Sequence, residues 1–245
     1  MRSSSHPESF ALIVPTLNEA ENISLLLSSA QAALESTNNP YTIIVVDDGS
    51  ADRTREIVRE HSRNDSRIQL VTRDGESGLA GAILCGWEHS DAELLGVIDA
   101  DLQHPPDLLP LMLSEFGNDV DIVIASRYAK ENGVRGWNPV RATISRLSTI
   151  ATRPLLRGRP GVTDPMSGFF IVRRQCIQGL TFQSKGFKLL LEILVRGHIR
   201  GAREVPYSFG LRHAGKSKAS AGVAVQYLFL LGRLSWDTRV RSGQR

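Results

Sequence analysis

The stretch Leu94-Leu95-Gly96-Val97-Ile98-Asp99-Ala100-Asp101-Leu102-Gln103-His104-Pro105-Pro106, LLGVIDADLQHPP, runs an apolar segment into two carboxylates, one amide and a proline stop. A carboxylate at the end of a buried strand is costly unless something compensates it, and two of them two residues apart also repel each other. A cation is therefore expected close by.

Four more apolar runs share the character of Leu94–Ile98. Phe10–Val14, Thr42–Val46, Ile68–Val71 and Ile122–Ala125 are short β-branched or apolar runs, each reading as a buried run instead of an alternating one. Such runs read as strands buried on both faces, the habit of a mostly parallel sheet. Helical periodicity lies between them: Ile23, Leu26, Leu27, Ala30 and Leu34 hold one face, and Asn18 with Glu21 three residues later reads as a capping-box-like start. The β-α-β alternation predicts an α/β fold with a Rossmann-like, mostly parallel open sheet and helices on both faces.

Ligands in that architecture collect at the carboxyl ends of the strands. The polar clusters fall there: VPTLNEAEN (14–22), VVDDGSADRT (45–54), the acidic stretch after Ile98, and ASRYAKENG (125–133). If Asp99, Asp101 and Gln103 stay extended, the period of two puts all three on one side. That is an oxygen-only set suited to Mg²⁺ or Mn²⁺ bound to a diphosphate. The competing reading is that Asp99 and Asp101 only cap a helix beginning near Pro106. DDGS (47–50) reads either as a simple turn or as a carboxylate poised for a base or ribose. Pro15 and Glu19 either shape the first helix or also line a nucleotide pocket. GESGLAGAILCG (75–86) matches neither GxGxxG nor a phosphate loop with Lys-Ser/Thr, which argues against kinase-type and dinucleotide-binding enzymes. Gly78, Gly81 and Gly86 read as helix-packing residues.

The chain has 245 residues, 41% of them hydrophobic, enough for a well-filled core. Its net charge is only +3, yet no acidic residue falls between Glu131 and Asp164, where Arg135, Arg141, Arg146, Arg153, Arg157 and Arg159 cluster. That positive field suits phosphates, nucleic acid or an anionic membrane. Arg127 follows the fifth strand, Arg141 and Ser145 are one helical turn apart, and Arg212, Lys216, Ser217 and Lys218 form a second basic knot. Each alone reads as a solvated face; together with an acidic metal site they read as phosphate clamps. Cys85 and Cys176 have no metal-ligand spacing, so they read as small core residues in a reducing compartment. The stretch Ala221–Leu234 is interrupted by Gln226 and Arg233 and is too short to span a bilayer.

In order, the blocks VPTLNEAENI, VVDDGSADRT, DADLQHPPD, ASRY, TDPMSGFF (163–170), KGFKLLLEIL (185–194) and EVPYSFGLRHAGKSK (204–218) resemble the inverting GT-A glycosyltransferases. They are more closely similar to the polyprenyl-phosphate (dolichyl-phosphate) mannose synthases, from Phe10 to about Lys218. The resemblance implies a GT-A domain over residues 1–220 and a C-terminal amphipathic helix with a basic tail over 221–245. It implies that Pro15, Leu17, Glu19, Val45 and Asp47 hold the guanine nucleoside of GDP-mannose, and that Asp99, Ala100, Asp101 and Gln103 hold metal and diphosphate. It further implies that Arg127, Arg141 and Ser145 form the acceptor-phosphate site, and that Arg212 and Lys218 close over the nucleotide. Asp99, Asp101, Arg127 and Arg212 are the expected catalytic group. Leu17 stands where an aromatic residue is often found, and synthases using UDP-glucose share most of these motifs.

The expected reaction is transfer of mannose to a polyprenyl phosphate with inversion. A lipid monophosphate with a second pKa near ~6 is already a nucleophile at neutral pH, so Asp164 is expected to orient a loop or substrate and not to act as a base. The expected setting is the cytoplasmic face of a membrane, held peripherally or by a membrane-anchor partner. The basic stretch 135–159, with Trp137, Leu147, Ile150, Leu155 and Leu156, and the segment 223–236 read either as interface helices or as ordinary core packing. Two alternatives stand beside this reading: a UDP-sugar transferase, and a nucleic-acid-binding protein that would need no acidic cluster.

Overall fold

The computed structural model describes residues 7–73, 78–129, 149–156, 160–182 and 188–207. Their elements are β1 (Phe10–Thr16), α1 (Ile23–Glu35), β2 (Tyr41–Asp47), α2 (Thr54–Asn64), β3 (Ile68–Thr72), α3 (Leu79–Glu88), β4 (Leu94–Val97), α4 (Leu109–Ser114), β5 (Ile122–Ser126), β6 (Phe170–Arg173), α5 (Leu189–Arg196) and β7 (Ala202–Pro206). All seven strands form one sheet in the order β3-β2-β1-β4-β6-β5-β7. Only β6 runs antiparallel to its neighbours. The five strands expected from the apolar runs are all present, and the fold is the α/β, GT-A type that was expected.

The period of two explains why the runs are continuous. Along β1, Phe10, Leu12 and Val14 pack on one side with Ile23, Leu26, Leu27, Leu34, Val58 and Met112 of α1, α2 and α4. Ala11 and Ile13 pack on the other with Ala82, Ile83 and Trp87 of α3 and Leu190, Ile193 and Leu194 of α5. With helices on both faces, neither set of side chains reaches water. Gly86 lies where α3 meets the sheet, with its nearest neighbours Ile13 and Val46, as a packing glycine should.

The architecture creates the site. β1 has β2 on one side and β4 on the other, so the chain leaving β1 and the chain leaving β4 part at the carboxyl edge, opening a crevice at the switch point.

Three local expectations are corrected. The segment after β4 does not stay extended: the chain turns at Ala100–Asp101, and Leu102 takes a left-handed φ of 60°. A period of two therefore does not align Asp99, Asp101 and Gln103; in the turn the Gln103 N–H donates to Asp101 Oδ1 at 3.1 Å. Asn18 does not cap α1, which starts at Ile23 after Asn22; it has φ 55° and its Oδ1 accepts the Ala51 N–H at 2.8 Å. Gly78 is not a packing glycine but the residue before α3, with φ 146°, a backbone state that L side chains rarely adopt. Of the two readings left open for the basic stretch, Leu155 fits core packing, buried against Leu191 and Val195 of α5, whereas Ile150 is exposed. The expected amphipathic segment 221–245, with Trp137 and Leu147, lies outside the described residues.

Candidate active site

Loops after the strands build the carboxyl edge of the sheet, and those after β1 and β2 are tied into one platform. The Asn18 N–H donates to Ser50 Oγ at 2.8 Å, Glu19 N–H to Thr54 Oγ1 at 2.9 Å, and Ala20 N–H to Asp52 Oδ2 at 3.1 Å. Asp47 ends β2 completely buried, and its Oδ1 accepts the Ser50 N–H at 3.0 Å, the Gly49 N–H at 3.3 Å and the Arg55 guanidinium. Burial works against its charge, but Ser50 and Arg55 outweigh that and hold its carboxyl below the usual carboxylate range. Asp48 is bonded to Arg73 at 2.7 Å and to the Gly78 N–H at 2.6 Å. Pro15 and Val45 are buried, Val45 within the core, while Leu17 and Glu19 are half-buried at the rim.

Across the crevice the loops after β4 and β5 carry the charge differently. Asp99 keeps 27% of its side chain exposed, and its Oδ2 lies 3.6 Å from Nδ1 of His104. His104 is buried between the rings of Phe169 and Tyr207. Burial, helped by Arg127 and opposed by Asp101 and Asp164, brings His104 down to about 4, so it is a neutral imidazole at pH 7. Ala100, Asp101 and Gln103 are buried beside it.

Arg127, directly after β5, is held by Asp164. Its Nε and Nη2 donate to Oδ2 and Oδ1, both at 2.7 Å, and its backbone N–H donates to Oδ2 at 3.1 Å. Burial disfavours the Arg127 charge, yet the Asp164 hydrogen bonds raise its pKa above the ordinary arginine value. Such a fork-to-fork pair fixes the direction of the guanidinium as well as its charge. Two residues that sequence reasoning did not single out join this group. Lys188, at the start of α5, is brought down to about 8 by burial and then by Arg127, and its Nζ contacts Met166 Sδ at 4.0 Å. Burial also raises the Tyr207 hydroxyl, which feels Arg127, Asp164, Asp99 and Asp101. Both belong to quoted blocks, but nothing local separates Lys188 from Lys185, or Tyr207 from a core aromatic.

The edge thus brings together Asp99, Asp101, Gln103, Arg127 and Asp164, with Pro15, Leu17, Glu19 and Asp47 on the facing platform. Arg141, Ser145, Arg212 and Lys218 lie outside the described residues. Among the described residues no three His, Cys, Asp or Glu side chains converge as a metal cage. Two carboxylates and an amide nevertheless suit a hard divalent cation that keeps water and phosphate oxygens as its other ligands. A Cβ at Gly168 would stand 2.7 Å from Asp99 Oδ2, so the glycine keeps space beside that carboxylate which any side chain would fill. The residues fit such an ion.

The model of the glycosyl transferase family 2 matches residues 11–180. A dolichol-phosphate mannosyltransferase of Pyrococcus furiosus is 37% identical over 231 residues, covering 94% of this chain and 65% of its own length. One from Saccharomyces cerevisiae is 33% identical over 235 residues, 92% of this chain and 86% of its own. Among solved structures, glucosyl-3-phosphoglycerate synthase from Mycobacterium tuberculosis in complex with Mn²⁺, UDP-glucose and phosphoglyceric acid has a TM-score of 0.69 at 20% identity, covering 93% of this chain and 80% of the other. The chain spans just under two thirds of the archaeal relative, and the last likeness speaks to fold alone. On the family match and the sequence relatives, this chain belongs to glycosyl transferase family 2 and is a glycosyltransferase.

Proposed function

We propose that the protein transfers mannose from GDP-mannose to a polyprenyl (dolichyl) phosphate, giving the β-linked lipid phosphate mannose and GDP. The observation that carries this reading is the pairing of an acidic turn, Asp99 to Gln103, with a fixed guanidinium, Arg127, at one sheet edge. Two relatives of known name, at 37% and 33% identity, supply the sugar and lipid classes. Asp99, Asp101 and Gln103 would hold Mg²⁺ or Mn²⁺, which neutralises diphosphate charge when bound.

The chain's own residues then have an electrostatic task. The acceptor phosphate is mostly a dianion at neutral pH, and its oxygen forms the new bond to the anomeric carbon. The bond from that carbon to the diphosphate oxygen breaks, and the electron pair leaves with GDP. No side chain has to remove a proton. That agrees with Asp164, which is fully buried and engaged with Arg127 instead of being open to an acceptor. Arg127 and Lys188 offset the negative charge gathered between acceptor and leaving group, and the neutral His104 backs Asp99 without cancelling its charge. Arg141 and Ser145 complete the acceptor site, and Arg212 and Lys218 close over the nucleotide, on the strength of the resemblance. Direct displacement inverts the α-linked donor to a β-linked product.

The lipid acceptor places the working enzyme at a membrane surface, on the cytoplasmic face where nucleotide sugars are supplied, held peripherally or by a partner. No helix among the described residues is long and apolar enough to cross a membrane. We take residues 1–220 as the catalytic unit and 221–245, which lie outside the described residues, as the part that meets the membrane. The nucleic-acid-binding alternative gains no support from the acidic edge or from the relatives.

The test offers the purified protein radiolabelled GDP-mannose or UDP-glucose with a polyprenyl phosphate in detergent and Mg²⁺ or Mn²⁺. Label entering the organic phase from GDP-mannose, and lost on chelation, is the expected result. Label from UDP-glucose alone would keep the reaction type and overturn the donor.

A further inference from the structure

Glu204 lies on β7, beside Ile124 of β5 in the parallel register. Its carboxylate holds the loop that leads into β6. Oε2 accepts the Thr163 backbone N–H at 2.9 Å and the Thr163 hydroxyl at 2.8 Å, and Oε1 accepts the Asp164 N–H at 2.9 Å. Thr163 Oγ1 also shares a hydrogen bond of 3.0 Å with Ser126 Oγ, on the residue before Arg127. The next link is Asp164, which takes the Arg127 backbone N–H and two guanidinium donors. One carboxylate thus fixes two consecutive amides, and the second of these carries the carboxylate that aims the arginine. Charge-assisted bonds of this kind are the stronger class and fix geometry as well as energy.

We infer that Glu204 is a positioning residue for the transfer reaction, acting through Thr163 and Asp164 to set the direction of the Arg127 guanidinium. The inference rests on the proposed function, since it takes Arg127 to serve the transferring phosphates. A residue three links from the chemistry can matter because misplacing a charge by a fraction of an ångström lowers the rate without weakening the fold. The same three bonds would also suit a loop held only for stability, and the experiment separates the two roles.

Glu204→Gln keeps the size of the side chain but turns one acceptor into a donor facing another donor. We expect kcat to fall about 10- to 100-fold, the range seen when supporting groups of a site are removed, with the KM for GDP-mannose changed less than about threefold. In an Arg127→Ala background the same substitution should cost nothing further, because its route to the reaction is already gone. If the two losses multiply, or if Glu204→Gln turns over like the wild type, the inference is overturned. Should Glu204→Gln fail to fold, Thr163→Val, which removes one of the three bonds and the link to Ser126, enters the same cycle with a severalfold expected loss.

A reading independent of turnover is the exchange of the Arg127 Nε–H with solvent, followed by ¹⁵N NMR and assigned by its absence in Arg127→Lys. Protection in the wild type should drop at least about tenfold in Glu204→Gln while the β1 and β2 amides keep theirs. Unchanged protection would contradict the role. A wild type that transfers no mannose to polyprenyl phosphate would count against the proposed function instead, and the exchange measurement would still decide what Glu204 does.

Discussion

Two acidic turns leave the same edge of the sheet, DDGS after β2 and DADLQ after β4, and the structure uses them in opposite ways. Asp47 and Asp48 spend their charge inside the protein, on Arg55, Arg73 and the backbone N–H groups of Gly49, Ser50 and Gly78. Asp99 lies 3.6 Å from the neutral imidazole of His104 and stays about a quarter exposed. The chain itself carries the reason. Arg53 and Arg55 follow the first turn within eight residues, whereas no lysine or arginine occurs between Arg73 and Arg127. The first turn thus finds its cations in its own stretch of sequence, while the first arginine after the second turn, Arg127, is the one that Asp164 holds.

The largest effect should come from removing a carboxylate of the second turn. Asp101→Ala should lower transfer roughly 10³-fold, the scale of deleting a key electrostatic group, while costing about 1 kcal/mol or less in urea unfolding for the lost bond to Gln103. Near-normal turnover in that variant would erase the contrast between the turns. The matching change in the first turn, Asp47→Ala, should strand Arg55 and destabilise the fold by about 2 kcal/mol, at the low end for a broken buried pair because the arginine is partly exposed. The folded fraction should keep far more activity than Asp101→Ala does, and the two unfolding curves measured side by side check this.

Lys188 sharpens the comparison on the cationic side. Its pKa of about 8, below the ordinary lysine value, means that kcat/KM should fall as pH rises through about 8 and the edge loses a positive charge. Lys188→Arg should move that fall to higher pH, and Lys188→Met should remove it at a rate about tenfold lower. The sign for stability is opposite: between about 8 and 10.5 the unfolded chain binds more protons than the native one, so this group makes stability rise with pH in that window. A pH–rate profile identical in the wild type and Lys188→Met would exclude the lysine. The smallest effect is expected at Ile150, exposed on the surface, where Ile150→Ser should weaken binding to anionic vesicles by about two- to threefold, for one lost apolar contact. Sedimentation with the vesicles measures it, and no change would make this side chain irrelevant to a membrane.

Most of the sheet could be read before folding because β1, β2, β4 and β5 are largely buried on both faces and leave apolar runs, while β3 keeps Ile68, Leu70 and Val71 around an exposed Gln69. β6 and β7 could not. The FIVR of β6 follows a loop motif and is only four residues long, and β7, AREVP, is an edge strand that alternates with charge and ends in proline. At the site, Asp99, Asp101 and Arg127 were legible from their place after strands, but the geometry around them was not. A left-handed Leu102 breaks the period of two, and Asn18 spends its side chain on Ala51 of the neighbouring loop after β2 instead of on its own helix. His104, Lys188 and Glu204 gain their roles from neighbours distant in sequence. Glu204 and Thr163 are 41 residues apart, and no local pattern foretells that meeting.

The central claim is direct displacement by a lipid phosphate at the edge shared by Asp101 and Arg127. It is tested most directly by isolating the lipid product made from GDP-mannose and polyprenyl phosphate and determining its anomeric configuration by NMR. A β-linked mannosyl phosphate is the predicted result. An α-linked product would contradict displacement in one step and require a retained or doubly inverted centre that these residues were not assigned to support.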